Sequence, residues 1–209
     1  MGQAPPPKRV LAIGWNSAGK TAVVQRIKGR SSEPMPTTGV LTEKCTLKIG
    51  PESAQQECDL ELIDVGTAPV IAAKMAGYNQ YLNTVDSVIF VLEVTRTQEK
   101  FKPEELQRQK ELVKKIADEP EVRDKPFLVL ANKCDREDAI PIPEVVEMFG
   151  LEDIFKNKTW QIQKCSAITA EGLKPGMAWL VSKMLEQESR ESAVSGRGTS
   201  SGVHATVIR

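Results

Sequence analysis

The stretch Gly14-Trp-Asn-Ser-Ala-Gly-Lys-Thr21 decides the fold. It follows a short apolar run, Val10-Leu-Ala-Ile13, and leads into Thr21 to Lys28, which reads as a helix. The letters fit the pattern G-x-x-x-x-G-K-[ST]. Its glycines let the backbone wrap tightly, so that consecutive N–H groups point inward. The helix that follows adds the positive end of its dipole. Such a loop is suited to holding phosphate. Gly14, Asn16, Ser17, Ala18 and Gly19 form its wall, Lys20 reaches the β and γ phosphates, and the Thr21 hydroxyl ligates Mg²⁺. By chance the pattern arises in roughly one chain in a hundred of this length. Its position between a strand and a helix is the further requirement, and an ordinary glycine turn does not need it.

Outward from this loop, apolar runs alternate with helical stretches. Val40 to Ile49 and Cys58 to Val65 flank the turn Gly50-Pro51-Glu-Ser and read as an antiparallel hairpin. Val70 to Leu82 reads as a helix, Val85 to Leu92 as a buried strand, and Pro103 to Asp118 as a helix with proline in its first turn and Glu104 and Glu105 after it. Phe127 to Ala131 and Trp160 to Cys165 are further strands. Pro143 to Phe149 is a short helix ended by Gly150, and Leu173 to Gln187 is the last helix. This order predicts an α/β fold whose mostly parallel sheet carries helices on both faces. The charged Pro103 to Asp118 helix reads as a solvated face, and Trp15, Trp160 and Trp179 as packing residues.

A second signal lies at the end of the strand Phe127 to Ala131, where Asn132-Lys-Cys-Asp135 fits N-K-x-D. Open α/β sheets bind ligands beyond the carboxyl ends of their strands. The Asp135 carboxylate can accept hydrogen bonds from guanine N1–H and the 2-amino group. Adenine has no 2-amino group and an acceptor at N1, so the carboxylate would be left unpaired, on the order of 10⁴-fold or more of discrimination. Lys133 can lay its stem along the purine face, and Asn132 can tie this turn to the phosphate loop. Cys165-Ser166-Ala167 follows the next strand and offers the Ala167 N–H to guanine O6.

With these motifs in place, the chain resembles the small GTPases, and among them the Arf and Arf-like branch, over roughly residues 9–188. The likeness rests on Gly14 to Thr21, Pro36-Thr37-Thr38-Gly39, Ile63-Asp64-Val65-Gly66, Asn132 to Asp135, Ser166-Ala167 and Glu171-Gly172-Leu173. It implies a P-loop small-GTPase fold, with a six-stranded, mostly parallel sheet, one antiparallel edge strand and five helices. It also implies bound GTP or GDP with Mg²⁺, and two switch segments. Thr37 matches the threonine that binds Mg²⁺ in the GTP state, Asp64 the acid that holds the Mg²⁺ shell, and Gly66 a glycine beside the nucleotide.

The chain also departs from that family. Thr67 and Ala68 stand where the family has a glycine and a glutamine. A β-branched residue resists the backbone angles a glycine allows, and Ala68 has no polar atom to orient water, so no catalytic residue is assigned. Val40 and Ile63 stand where the family has aromatic effector contacts, and Gly77 to Thr84 reads as about two residues longer than its counterpart. Arf has an amphipathic membrane helix where this chain has a short proline-rich arm, in which Lys8 and Arg9 do not make an anchor, so membrane association of the Arf type is doubtful.

The expected organisation is a flexible arm at 1–8, an Arf-like GTPase domain at 9–188 and a disordered Ser/Gly-rich tail at 189–209. The expected function is GTP binding and action through protein effectors or an assembly partner, with very slow intrinsic hydrolysis. A non-switching scaffold that keeps nucleotide for stability is the alternative. A small-metabolite P-loop kinase would leave Asn132 to Asp135 unexplained.

Composition narrows the rest. Lys+Arg and Asp+Glu both number 28, so there is no overall basic field for nucleic acid. The only histidine is His204, which excludes histidine triads and multi-histidine metal sites. Cys45, Cys58, Cys134 and Cys165 form no C-x-x-C pair and read as reduced thiols of a cytoplasmic protein. No apolar run is long enough for a membrane span, and the N-terminus has no secretory h-region. Gly2 follows Met1, but Pro6 occupies the position where acylation favours Ser or Thr.

Overall fold

A computed structural model describes residues 5–30, 39–50, 55–66, 71–96 and 102–197, the side chains of 71–74 and 194–197 excepted. The elements run β1 (Lys8–Gly14), α1 (Lys20–Ile27), β2 (Val40–Ile49), β3 (Gln56–Val65), α2 (Ile71–Leu82), β4 (Ser87–Glu93), α3 (Pro103–Asp118), β5 (Phe127–Asn132), α4 (Ile142–Phe149), α5 (Leu151–Ile154), β6 (Trp160–Lys164) and α6 (Leu173–Arg197). The strands form one six-stranded sheet in the order β2-β3-β1-β4-β5-β6. Every neighbouring pair is parallel except β2 with β3, so the antiparallel strand is an edge, as the sequence resemblance implies.

The continuous apolar runs hide an alternation. Leu11 and Ile13 point into one core with Phe90, Leu92, Phe127 and Val129. Val10 and Ala12 point into the other with Ile89, Val91, Leu128 and Leu130. The first core is closed by Leu112, Val113 and Ile116 of α3 with Val145, Leu151 and Phe155, and the second by Val23 and Val24 of α1 with Met177, Leu180 and Val181 of α6. With both faces covered, period 2 vanishes from the sequence, although each strand still obeys it. The edge strand β2 keeps a visible alternation because one of its faces meets solvent. Helix α3 shows a solvated face and a buried stripe, with Leu112, Val113, Ile116 and Ala117 inside.

Besides shifts of one or two residues at other strand and helix ends, three differences from the sequence expectation stand out. Lys8, placed at the end of the arm, opens β1, because it pairs in register with Leu60 of β3; its side chain also meets Glu188 at 3.0 Å, and the Arg9 amide donates to Asp86 Oδ2 at 2.7 Å. Helix α6 runs to Arg197, so 189–197 is helical rather than tail. Local i,i+4 contacts carry it on: Ser189 Oγ donates to the Leu185 carbonyl at 2.9 Å and Gln187 Nε2 to Glu191 Oε1 at 3.0 Å. Adding residues to a formed helix costs little compared with nucleating one. Residues 198–209 lie outside the described residues. The one-turn helix α5 was hidden because Gly150, in the left-handed conformation at φ 63°, both ends α4 and starts α5.

Phe155 sits between Phe127 and Trp160, with ring centroids 5.1 and 5.2 Å away. Phe155→Ala should cost about 3–5 kcal/mol of stability. Urea unfolding checks this, with a lower midpoint and an unchanged slope as the expected result.

Candidate functional site

Parallel pairing brings the carboxyl ends of β1, β5 and β6 to one edge of the sheet, and the site is built there. The loop after β1 is shaped by its glycines. Gly14 has φ 153°, and a Cβ on it would lie 2.4 Å from the Val91 carbonyl oxygen. Gly19 has φ 92°, and a Cβ on it would lie 2.4 Å from Asn132 Nδ2. Ser17 also holds a left-handed backbone, at φ 59°. The loop closes on itself through the Ala18 amide, which donates to the Trp15 carbonyl at 3.3 Å. Trp15 is buried, as packing predicts.

Helix α1 starts from Gly19 with no side-chain cap and no acidic residue in its first turn. The positive end of its dipole is therefore not offset by an acidic side chain in its own first turn. Lys20 is buried and folds back over the loop, its Nζ donating to the carbonyls of Trp15 at 3.2 Å and Gly14 at 3.4 Å. From there its cation lies over the cradle.

Thr21 Oγ1 donates to Asp64 Oδ2 at 2.6 Å, and Asp64 is fully buried at the end of β3. The register that pairs Ala12 with Asp64 sets this contact. One hydroxyl and one carboxylate are hard oxygen donors, and they fit Mg²⁺, which takes few protein ligands and keeps the rest as water and phosphate oxygens. Among the described residues no group of three or more His, Cys, Asp or Glu side chains is placed to cage a metal. Thr37, the third expected ligand, lies outside the described residues, as do Thr67 and Ala68. Gly66 is at the site's margin, and its amide donates to the Gly39 carbonyl at 2.6 Å.

Asn132 is the hub. Its Nδ2 donates to the Ala18 carbonyl at 2.9 Å, and its Oδ1 accepts from the Ala167 amide at 3.0 Å. The tie to the phosphate loop is thus the one the sequence suggested. The Ala167 amide, expected to face guanine O6, here faces Asn132. Lys133 adopts φ 69°, and its Nζ pairs with Glu93 Oε2 at 3.0 Å. Burial lowers the Lys133 ammonium below the ordinary lysine range, with Arg136 acting in the same direction and Asp135 opposing. The Cys134 amide donates to the Cys165 carbonyl at 3.1 Å, locking the turn to the next strand. That leaves Asp135 exposed at the rim. Ser166 is buried, and its Oγ accepts from the Ile168 and Thr169 amides, both at 3.1 Å, which shapes the second loop.

Three contributors escaped the sequence reading. Glu93 fixes Lys133, and an acid ending a buried apolar strand was the signal for it. Tyr78 of α2 is buried, and its hydroxyl donates to the Gly14 carbonyl at 3.4 Å. Burial pushes that hydroxyl up in pKa, so it stays a donor. Its i,i+4 spacing from Leu82 marked a buried face but not what that face meets. Arg26 of α1 donates from Nε to the Ala167 carbonyl at 2.9 Å and from Nη2 to the Ile168 carbonyl. A lone arginine on a short helix gives no sequence signal for this. Of the two effector-contact positions, Val40 is 43% exposed, whereas Ile63 is 1% exposed and belongs to the core.

The chain matches the model of the ADP-ribosylation factor family over residues 3–184. It is 26% identical over 176 residues to ADP-ribosylation factor-like protein 3 of Caenorhabditis elegans, covering 84% of this chain and 87% of that one. It is 28% identical over 180 residues to ADP-ribosylation factor-like protein 4D of Mus musculus, covering 86% of this chain and 84% of that one. The fold is similar, with a TM-score of 0.72 and 21% identity, to the Arl6 BBS3 small GTPase from Trypanosoma brucei, solved with the nucleotide analogue GppNp. That likeness covers 87% of this chain and 99% of the other.

Gly19→Ala should push the Asn132 amide off Ala18 and impose a strained backbone worth about 1–3 kcal/mol. The expected result is nucleotide binding weaker by about tenfold or more, measured by titration calorimetry against a thermal melt of the same protein.

Proposed function

The chain belongs to the ADP-ribosylation factor family, and on that footing we propose that it binds GTP or GDP with Mg²⁺, acts through protein partners and hydrolyses GTP very slowly. The observation that carries this reading is the Asn132 bridge between the phosphate loop at Ala18 and the base loop at Ala167. It ties the loop that we assign to a phosphate tail to the loop that we assign to a purine. The T. brucei relative, solved with GppNp, accords with that choice of ligand.

Each group then has a task. The amides of the loop and of the first turn of α1 receive phosphate oxygens, and Lys20 adds a cation beside them. Thr21, with Asp64 behind it, would hold Mg²⁺, which when bound offsets charge on the β and γ phosphates. Asp135 takes the N1–H and 2-amino donors of guanine, and the stem of Lys133 lies along the purine. Water activation is where the chain is weakest. Ala68 replaces the family glutamine, so no side chain at that position orients the attacking water.

Partner binding through segments around β2 follows the family habit, with Val40 offered at the surface in place of an aromatic residue. Among the described residues no helix is long and apolar enough to cross a membrane. The four cysteines are free thiols, and burial raises each of them, which keeps them protonated and slow to react.

The chain loaded with labelled GTP should release it into excess cold GTP but keep it against excess cold ATP. Equal displacement by both would remove the guanine assignment. Single-turnover hydrolysis should fall below the roughly 10⁻⁴–10⁻³ per second of an unassisted small GTPase that has its glutamine. A rate at or above that range would return Ala68 to irrelevance.

A further inference from the structure

We propose that Arg26 is a positioning residue for the purine-reading loop, tying it to the helix that leaves the phosphate cradle. The inference rests on the guanine-nucleotide reading above. It starts from how little else fixes that loop. Ile168 is 71% exposed, and Thr169, Ala170 and Glu171 are exposed as well, so apolar packing does not hold the segment. Its internal bonds, from the Ile168 and Thr169 amides to Ser166 Oγ and from the Ser166 amide to the Glu171 carbonyl at 3.0 Å, set its shape. They do not set where it sits relative to the phosphates.

Two side chains from elsewhere in the fold do that at a single residue. Asn132 of β5 takes the Ala167 N–H at 3.0 Å, and Arg26 of α1 donates to the Ala167 carbonyl at 2.9 Å while its other arm reaches the Ile168 carbonyl. The planar fork of a guanidinium matches two successive carbonyls, and a charged donor outweighs a neutral one. Arg26 is half-buried, and its bond to the Ala167 carbonyl is partly shielded from water, whereas the one to Ile168 lies at the surface. The helix that begins at Lys20 and the loop that faces the base thus move as one body. Without Arg26 the loop keeps Asn132 and its buried ends at Ser166 and Leu173 but loses its tie to α1, so its exposed stretch shifts beside the purine while Asp135, on the separate β5 turn, keeps its place.

The test uses ribose-labelled GDP and IDP, each released from the full chain in Mg²⁺. Inosine keeps O6 but lacks the 2-amino group, so the ratio of the two release rates reports Asp135 separately. Arg26→Ala should speed release of both by the same factor, on the order of tenfold or more, and leave the GDP to IDP ratio as in the unaltered chain. Arg26→Lys, which keeps charge and reach but not the fork, should fall between the two. Unchanged release in Arg26→Ala, a collapsed ratio, or a lysine variant no better than alanine overturns the proposal. If Arg26→Ala does not fold, Arg26→Lys decides, and release at the unaltered rate overturns it. An unaltered chain that retains neither nucleotide sinks the guanine reading itself, whereas one that retains GDP while Arg26→Ala matches it sinks only Arg26.

Discussion

The Asn132 carboxamide makes one site out of loops that are far apart in sequence. Its amide nitrogen holds the carbonyl of Ala18, and its oxygen holds the amide of Ala167, 114 and 35 residues away respectively. A carboxamide suits this position because it donates and accepts at once on a short, stiff stem. The loop glycine answers to the same constraint, since any side chain at Gly19 would occupy the space of the Asn132 nitrogen. Asn132 is 1% exposed, so breaking either bond would strand a polar group away from water.

The sheet makes that placement possible. β4 lies between β1 and β5, and their parallel registers carry all three carboxyl ends to one edge. Cores on both faces hold the strands in register, so the loops inherit a rigid frame. Loops themselves have little to pack against, and polar bonds to the frame decide where they point. Asn132 does this from β5, Cys134 from the turn after it, Tyr78 from α2 and Arg26 from α1.

Much of this was legible in the sequence, and the division follows range. Gly14 to Thr21 and Asn132 to Asp135 could be read because their chemistry is local: each needs particular residues at fixed spacing on one turn. The β2–β3 hairpin could be read because alternation survives on an edge strand. What escaped depends on contacts between distant elements. Arg26 and Tyr78 look ordinary until the fold brings Ala167 and Gly14 to them. Helix α6 outran its expected end because composition weighs residues singly, whereas i,i+4 contacts such as Gln187 with Glu191 act in pairs. The Ala167 amide could be assigned to the base from its position alone, but not seen to engage Asn132.

The same geometry explains how the chain can diverge where hydrolysis is organised and keep the apparatus that holds nucleotide. Asp64 belongs to β3, and its place against Thr21 is set by pairing with β1. The Thr21–Asp64 contact depends on the β1–β3 register, which pairs Ala12 with Asp64 within the described residues, whereas 67–68 lie outside them. The phosphate loop is braced from below by Tyr78 and from the side by Asn132, and neither brace passes through positions 67 or 68. The phosphate loop therefore takes its described supports from α2 and β5. Thr67 and Ala68 stand where the family has a glycine and a glutamine, whereas the cradle from Gly14 to Thr21 keeps the family pattern and both of its braces.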